Sequence, residues 1–445
     1  MNVLSWLEGI AHQIPTESSP SQLPKTRKRK RQQMPTPTQS ANADTTPNKR
    51  QRPDEQDDTD FDRTPRGRSS KSWSDVSSCS SRASRTSPTK RLAKLEVAEN
   101  PVLVKQISRK DPSMPKELKS MLEQLDGFQN RTGIVPMYLA TEIHDRAKFD
   151  DDFYNFMPFT FGDDTVYPSQ SNPPLSLRQI LKVFESAKEC LNEDHAEATW
   201  NTLVHWPVFE LALGSIGDVS ELARANDSLT KKGSAEDGAD QQGHEQQSQE
   251  PQHQKSHVKA QVYVRGMPCS AARLIGRHHG SKMVDYCIFV EPGGRDCAKI
   301  DELREGQPYI NHTDYHALRR RPIVLSAESK KPGEGFRNAQ LQLSVWQAAQ
   351  WSSLLRLAAD GSEGMSTMIP FLPALIIQGH DWYFAATTRS DDNTVLWIKQ
   401  PVGSTESVLG IFQVIRGLRH IASWTRETYW PWYKQSVLHL VENKS

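Results

Sequence analysis

Ile323-Val324-Leu325-Ser326-Ala327-Glu328-Ser329-Lys330 decides the fold. Its apolar run is short enough for a strand and ends on two opposite charges. Side chains alternate along a strand, so Glu328 and Lys330 emerge on one face, two residues apart. An acid and an ammonium are thereby aimed into one space. A second run, Met283-Val284-Asp285-Tyr286-Cys287-Ile288-Phe289-Val290, is equally apolar and also carries one carboxylate. A strand this apolar belongs in the middle of a covered sheet. A carboxylate there is costly unless it is paired or bound to a cation.

Hydrolysis of a phosphodiester needs such a set. Hard oxygen ligands from Asp285 and Glu328 hold Mg²⁺ (or Mn²⁺), which keeps several waters and takes a phosphate oxygen as well. The ion acidifies a bound water and stabilises charge in the transition state. Lys330 then orients or deprotonates the attacking water, or neutralises the phosphate. The Ser329 carbonyl supplies a third ligand. Each residue also has a plainer reading: Asp285 as a structural partner of Arg273 or Arg277, and Glu328–Lys330 as an exposed ion pair at a strand end.

Outward from these runs, further strands are expected at Val258–Val264, Leu372–Gln378, Trp382–Thr388 and Val395–Lys399. A helix is expected over about Asn338–Ala358 and another over about Glu406–Trp424. Upstream, Glu117, Leu118, Met121, Leu122 and Leu125 have helical spacing. So do Leu177, Ile180, Leu181 and Phe184, behind a capping box from Ser176 to Gln179. A third helix covers about 195–214 and Pro207 kinks it. Strands and helices in this order give an α/β fold with a mixed central sheet.

These residues resemble a family. Asp285 followed by Glu328-Ser329-Lys330 is similar to the Asp…Glu-x-Lys core of the PD-(D/E)xK nuclease superfamily. The helix opening Arg337-Asn338-Ala339-Gln340-Leu341-Gln342-Leu343-Ser344-Val345-Trp346 resembles the superfamily helix that carries a functional glutamine, which implies Gln342. The stretch Glu197-Ala198-Thr199-Trp200-Asn201-Thr202-Leu203-Val204-His205 resembles the first core helix, whose glutamate joins the metal site, which implies Glu197. The nearest likeness is to fungal PD-(D/E)xK nuclease-like domain proteins, over about residues 115 to 430. It implies a restriction-endonuclease-like core with helices flanking the mixed sheet. It also implies a metal-dependent nuclease acting on DNA or RNA. The chain departs from the motif in two places: Val284 precedes Asp285 where the name has proline, and the spacing from Asp285 to Glu328 is long. A catalytically inactive nuclease-like fold, serving as a nucleic-acid-binding or protein-interaction module, is the alternative. Glutamate is also favoured at a helix start by the helix dipole, so Glu197 has a structural reading.

Hydrophobic residues make up 36% of the 445, a low share for a chain folded throughout. Residues 1–110 read as a long disordered tail rich in Ser, Pro and basic side chains. The nuclease-like domain is expected at 111–435, with a disordered insertion at 226–257. Lys25–Arg31 and Lys49–Arg52 are dense basic clusters that suit a nuclear import receptor. Met1–Ile10 has the spacing of a short docking helix. Five cysteines, none in a CxxC pair, argue against a zinc finger or a disulfide framework. No apolar run is long enough to span a bilayer, so no membrane partner is expected. Arg319-Arg320-Arg321 has two uses, a contact to a phosphate backbone or a solvated turn. The aromatic tail Trp424…Tyr429-Trp430-Pro431-Trp432-Tyr433 suits packing of the last helix better than stacking on bases.

Overall fold

Strand-forming runs of the sequence gather into one mixed seven-stranded sheet. The strands are β1 (Val102–Gln106), β2 (Tyr263–Pro268), β3 (Tyr286–Glu291), β4 (Ile323–Lys330), β5 (Leu372–Gln378), β6 (Asp381–Arg389) and β7 (Thr394–Ser404). The computed structural model describes residues 87–162, 173–214, 262–275, 284–359, 368–390 and 393–440. Across the sheet the order is β1-β7-β6-β5-β4-β3-β2. The pairs β1–β7 and β4–β5 are parallel; the other neighbours are antiparallel. The helices are α1 (Pro88–Glu96), α2 (Lys116–Gln129), α3 (Ala140–Arg146), α4 (Leu177–Asn192), α5 (Glu197–Trp200), α6 (Trp206–Leu213), α7 (Gly294–Gly306), α8 (Phe336–Ala359), α9 (Val408–Trp424) and α10 (Trp430–Ser436).

The central strands β4 and β5 are buried along almost their whole length, as covered strands with continuous apolar runs must be. Two cores result, one on each face of the sheet. Tyr286, Ile288, Leu325 and Ala327 pack with α2, α4, α6 and α9. Cys287, Phe289 and Ile376 pack on the other face with Ala339, Leu343 and Trp346 of α8 and with Leu92 and Leu95 of α1. Strand β4 shows the alternation directly: Ala327 enters the first core, while Ser326 turns to the second and accepts from Trp346 Nε1 at 2.8 Å.

Several expectations are corrected. The described residues open with α1 and β1, inside the stretch 1–110 expected to be a disordered tail. Leu92 and Leu95 give α1 an apolar stripe, and β1 adds a parallel edge to β7. Ser176 precedes α4 without a side-chain cap; Gln179 N donates to its backbone carbonyl instead. Strand β2 starts at Tyr263 and ends at Pro268, later than the apolar pattern suggested. Helix α7 fills part of the long spacing between Asp285 and Glu328. Its periodicity is faint because only Ile300 is buried. The arginine run is tied to the fold by its own contacts. Arg321 pairs with Glu291 at 2.8 Å, Arg320 with Asp301 at 2.6 Å, and Arg319 donates to His316 O. The aromatic tail packs: Tyr429, Trp430 and Tyr433 are buried, and Tyr429 Oη donates to Ile323 O at 3.0 Å. Residues 1–86, which include both basic clusters, and the insertion expected at 226–257 lie outside the described residues.

Candidate active site

Strand β3 runs antiparallel to β4 with Tyr286 opposite Ala327 and Cys287 opposite Ser326. Continued by one residue, that register sets Asp285 beside Glu328. Asp285 lies just ahead of β3 and not within it. Its N–H donates to Ala327 O at 3.0 Å, and its carbonyl accepts from Cys269 N at 2.8 Å. The acid is therefore fixed at the sheet end, between β2 and β4. Arg273 is exposed and makes no ion pair with it among the described residues.

Glu328 is completely buried and Asp285 is 3% exposed. Two carboxylates cannot be withdrawn from water in this way without compensation. Lys330 supplies part of it. Its Nζ lies 2.6 Å from Glu328 Oε1, 2.7 Å from the Ser329 carbonyl and 3.4 Å from Glu197 Oε2. Burial alone would lower the Lys330 pKa, but the Glu328 carboxylate beside it, with Glu197 and Asp285 behind, raises it above the ordinary lysine value. Gly335, at φ 68°, gives the ammonium its room: a Cβ there would fall 2.5 Å from Lys330 Cδ.

On the other face of β4, Ser329 meets a helix with an inserted residue. α5 and α6 are joined by a π turn over Asn201–His205. The turn stands immediately before Pro207, whose ring would clash with the carbonyl four residues back in a regular helix. The expected kink is thus taken up as a widened turn. Asn201 and His205 face the strand together. Asn201 Oδ1 is 2.9 Å from His205 Nδ1 and 2.7 Å from Ser329 Oγ, and His205 Nε2 is 2.8 Å from Gly379 O. Ser329 Oγ also reaches Asp285 Oδ2 at 2.7 Å.

Proton counting fixes the sense of this chain. Gly379 O only accepts, so His205 Nε2 carries a proton. Burial lowers the His205 pKa to about 4, so the ring is neutral and Nδ1 is an acceptor. Ser329 has one hydroxyl proton, and an ionised Asp285 can only accept it. The Asn201 amide must then turn its Nδ2 toward both His205 and Ser329, an assignment that proton counting makes. The chain of donors then ends on Asp285 Oδ2. The Ser329 N–H adds a second bond to that oxygen at 2.9 Å.

The residues expected at the site are therefore only partly drawn together. Glu197, Glu328 and Lys330 form one ion-paired cluster, and Asp285 joins it through Ser329. Gln342 is half-buried on α8, flanked by buried Ala339, Val345 and Trp346. Among the described residues no group of three or more His, Cys, Asp or Glu is placed to hold a metal ion. Lys330 stands between Glu328 and Glu197. Asn201 and His205 were overlooked, although Glu197, Asn201 and His205 recur every four residues, the spacing of one helix face.

The donor chemistry nonetheless fits a hard divalent ion. Glu328 Oε1 and the Ser329 carbonyl converge on one position, now taken by Lys330 Nζ, and Asp285 lies on the adjoining strand. Mg²⁺ needs only one or two carboxylates, the rest of its shell being water and phosphate.

No curated protein and no solved structure matches the chain. A model of the PD-(D/E)XK nuclease superfamily matches residues 142–430, well over half of the 445. The matched span runs from α3 into α10 and contains every residue of the site. The mixed sheet flanked by helices is the restriction-endonuclease-like α/β fold, and the chain belongs to the PD-(D/E)XK nuclease superfamily.

Proposed function

We propose that the protein is a metal-dependent nuclease that hydrolyses phosphodiester bonds at the Asp285–Glu328–Lys330 site. The observation that carries this reading is the convergence of Glu328 Oε1 and Ser329 O on one cation position at 2.6 and 2.7 Å. Glu328, Asp285 and the Ser329 carbonyl would hold Mg²⁺ or Mn²⁺, with Glu197 at the margin. A divalent ion bound there supplies an acidified water and charge stabilisation at the phosphate. With a divalent ion held by those oxygens, Lys330 would be released from Glu328 to serve the phosphate, neutralising its charge or orienting the attacking water. Ser329 and Asn201 hold Asp285 in one rotamer throughout. Gln342 is proposed to contact the nucleic acid from α8.

The test is a cleavage panel: the full chain with single- and double-stranded DNA and RNA, in Mg²⁺, Mn²⁺ or EDTA. Metal-dependent cleavage that is lost in Asp285→Ala is expected. Binding without cleavage in any metal would replace this reading by the inactive nucleic-acid-binding module. We also propose a nuclear location through Lys25–Arg31 and Lys49–Arg52. A fluorescent fusion should lose nuclear accumulation when both clusters become alanine; unchanged accumulation rejects it.

A further inference from the structure

On the α8 face of the sheet a cavity of about 810 Å³ begins next to the site. Its floor crosses the strands in order. Gln378 of β5 is the register partner of Lys330; Tyr383 of β6, then Ile398 and Lys399 of β7, then Val104 of β1 continue the row. From β4 to β1 there are four strand spacings, roughly 19 Å. The first turn of α8, with Phe336 and Arg337, forms one wall and α1 forms the other. Phe336 follows Lys330 by six residues, so the cavity opens beside the reacting centre.

Its lining is not that of a packing defect. Phe336 and Tyr383 are half-buried aromatic rings in edge contact at 5.8 Å. Arg337 and Lys399 are exposed and neither is ion-paired among the described residues; Lys399 Nζ lies over the Phe336 ring, 5.1 Å from its centroid. Lys399 sits at φ 71°, a left-handed conformation rare for a side-chain-bearing residue. Phe384 opposes Gln400 and Ala386 opposes Trp397, so β7 carries one extra residue at this point. The bulge lets consecutive Ile398 and Lys399 line the same cavity, which regular alternation forbids. A strained backbone spent on aiming a lysine into a cavity calls for a ligand there.

Building on the nuclease reading above, we infer that this cavity is the track for an unpaired nucleic-acid strand leading to the scissile phosphate. Stacking faces interleaved with cations are what a single strand requires. A volume of about 810 Å³ is that of a small-ligand pocket and excludes a duplex. The rim acid Glu96 repels phosphate at the far wall and leaves the Arg337–Lys399 side as the backbone path.

The test measures binding apart from cleavage. Fluorescence anisotropy of a labelled 12-nucleotide single strand is followed in EDTA with the full chain, so that the amino-terminal basic clusters contribute equally to every variant. Arg337→Ala and Lys399→Gly should each weaken binding severalfold and flatten the salt slope by about 0.7. Tyr383→Leu should weaken it at least about fivefold. Lys399→Gly should also keep or raise the melting temperature, because glycine relieves the left-handed strain; weaker binding in a more stable protein cannot come from misfolding. A hairpin duplex should bind less tightly than the strand and should not respond to Tyr383→Leu. Unchanged affinity in the variants, or equal sensitivity of duplex and strand, overturns the track. Failure to cleave anything leaves these binding outcomes intact and counts against the nuclease reading alone.

Discussion

Ser329 holds Asp285 with both its groups: the hydroxyl at 2.7 Å and the backbone N–H at 2.9 Å from the same Oδ2. The middle residue of the Glu-x-Lys tripeptide thus clamps the acid of the neighbouring strand. Ser329→Ala keeps the N–H and removes the hydroxyl. Loss of one bond to a charged group costs about 1.5–3 kcal/mol, read as a lower urea midpoint. Single-turnover cleavage should fall roughly tenfold as Asp285 gains freedom. A variant with wild-type rate and midpoint would mean that the clamp is idle.

The direction of the Asn201 amide is testable too. If Nδ2 serves both His205 and Ser329, Asn201→Asp replaces a donor by an anion beside Asp285. Asn201 is partly buried, and the expected loss is about 1–3 kcal/mol, the cost of lost donors facing an anion. It should lessen on acidification as a carboxylate takes a proton. Were Oδ1 the contacting atom, aspartate would keep both contacts and only repulsion from Asp285 would count, so the loss would be clearly smaller.

Buried histidines set the acid limb of stability. His205 is lowered to about 4, His420 to about 4 and His312 to about 3, in each case by burial first. Their folded pKa values lie below the unfolded value of about 6.5. The unfolded chain therefore takes up protons first as the pH falls. The stability they contribute is complete above pH 6.5 and is lost between there and about pH 4. For His205 alone the loss is about 3 kcal/mol. Urea midpoints between pH 8 and 4.5 should decline in this window, and less steeply in His205→Gln. An identical slope in the variant would show that His205 does not titrate there.

Much of this site could be read in the sequence because strands fix geometry by alternation. Glu328 and Lys330 had to share a face, and the apolar run around Asp285 had to lie beside a covered strand. Strand β5 was bounded correctly at Leu372–Gln378 because buried strands are continuous apolar runs. What escaped was non-local. The Ser329–Asn201–His205 chain spans 128 residues between its first two members, and no local pattern announces it. Helix α7 buries one residue, too few to impose a period. Helix α1 lies in a basic, Ser-rich context that hides Leu92 and Leu95. The Lys330–Glu328 contact escaped for an energetic reason: without a divalent ion the lysine is the nearest cation for Glu328.

That competition yields the sharpest prediction. Glu328 is completely buried and Lys330 Nζ is 2.6 Å from its Oε1. Lys330→Ala therefore leaves a buried carboxylate without its ammonium, which costs about 3–5 kcal/mol. In wild type the folded Lys330 pKa is raised above 10.5, so its contribution is present at all lower pH and is lost only as the pH rises through that folded value. The defect in the variant should accordingly be visible throughout the neutral range. A divalent ion on Glu328 and the Ser329 carbonyl would replace the missing charge. Mg²⁺ should then raise the melting temperature of Lys330→Ala more than that of wild type, and metal affinity should be kept or increased, because a competing positive charge is gone. Cleavage should nonetheless drop, by roughly 10²-fold if Lys330 handles the proton transfer. Differential scanning fluorimetry across a Mg²⁺ titration, paired with single-turnover cleavage, separates the two roles. Stability rescued by metal without recovery of rate assigns Lys330 both a structural part in the metal-free protein and a chemical part in the loaded one. No rescue at any Mg²⁺ concentration would remove Glu328 from the ligand set, and a wild-type rate would remove Lys330 from the chemistry.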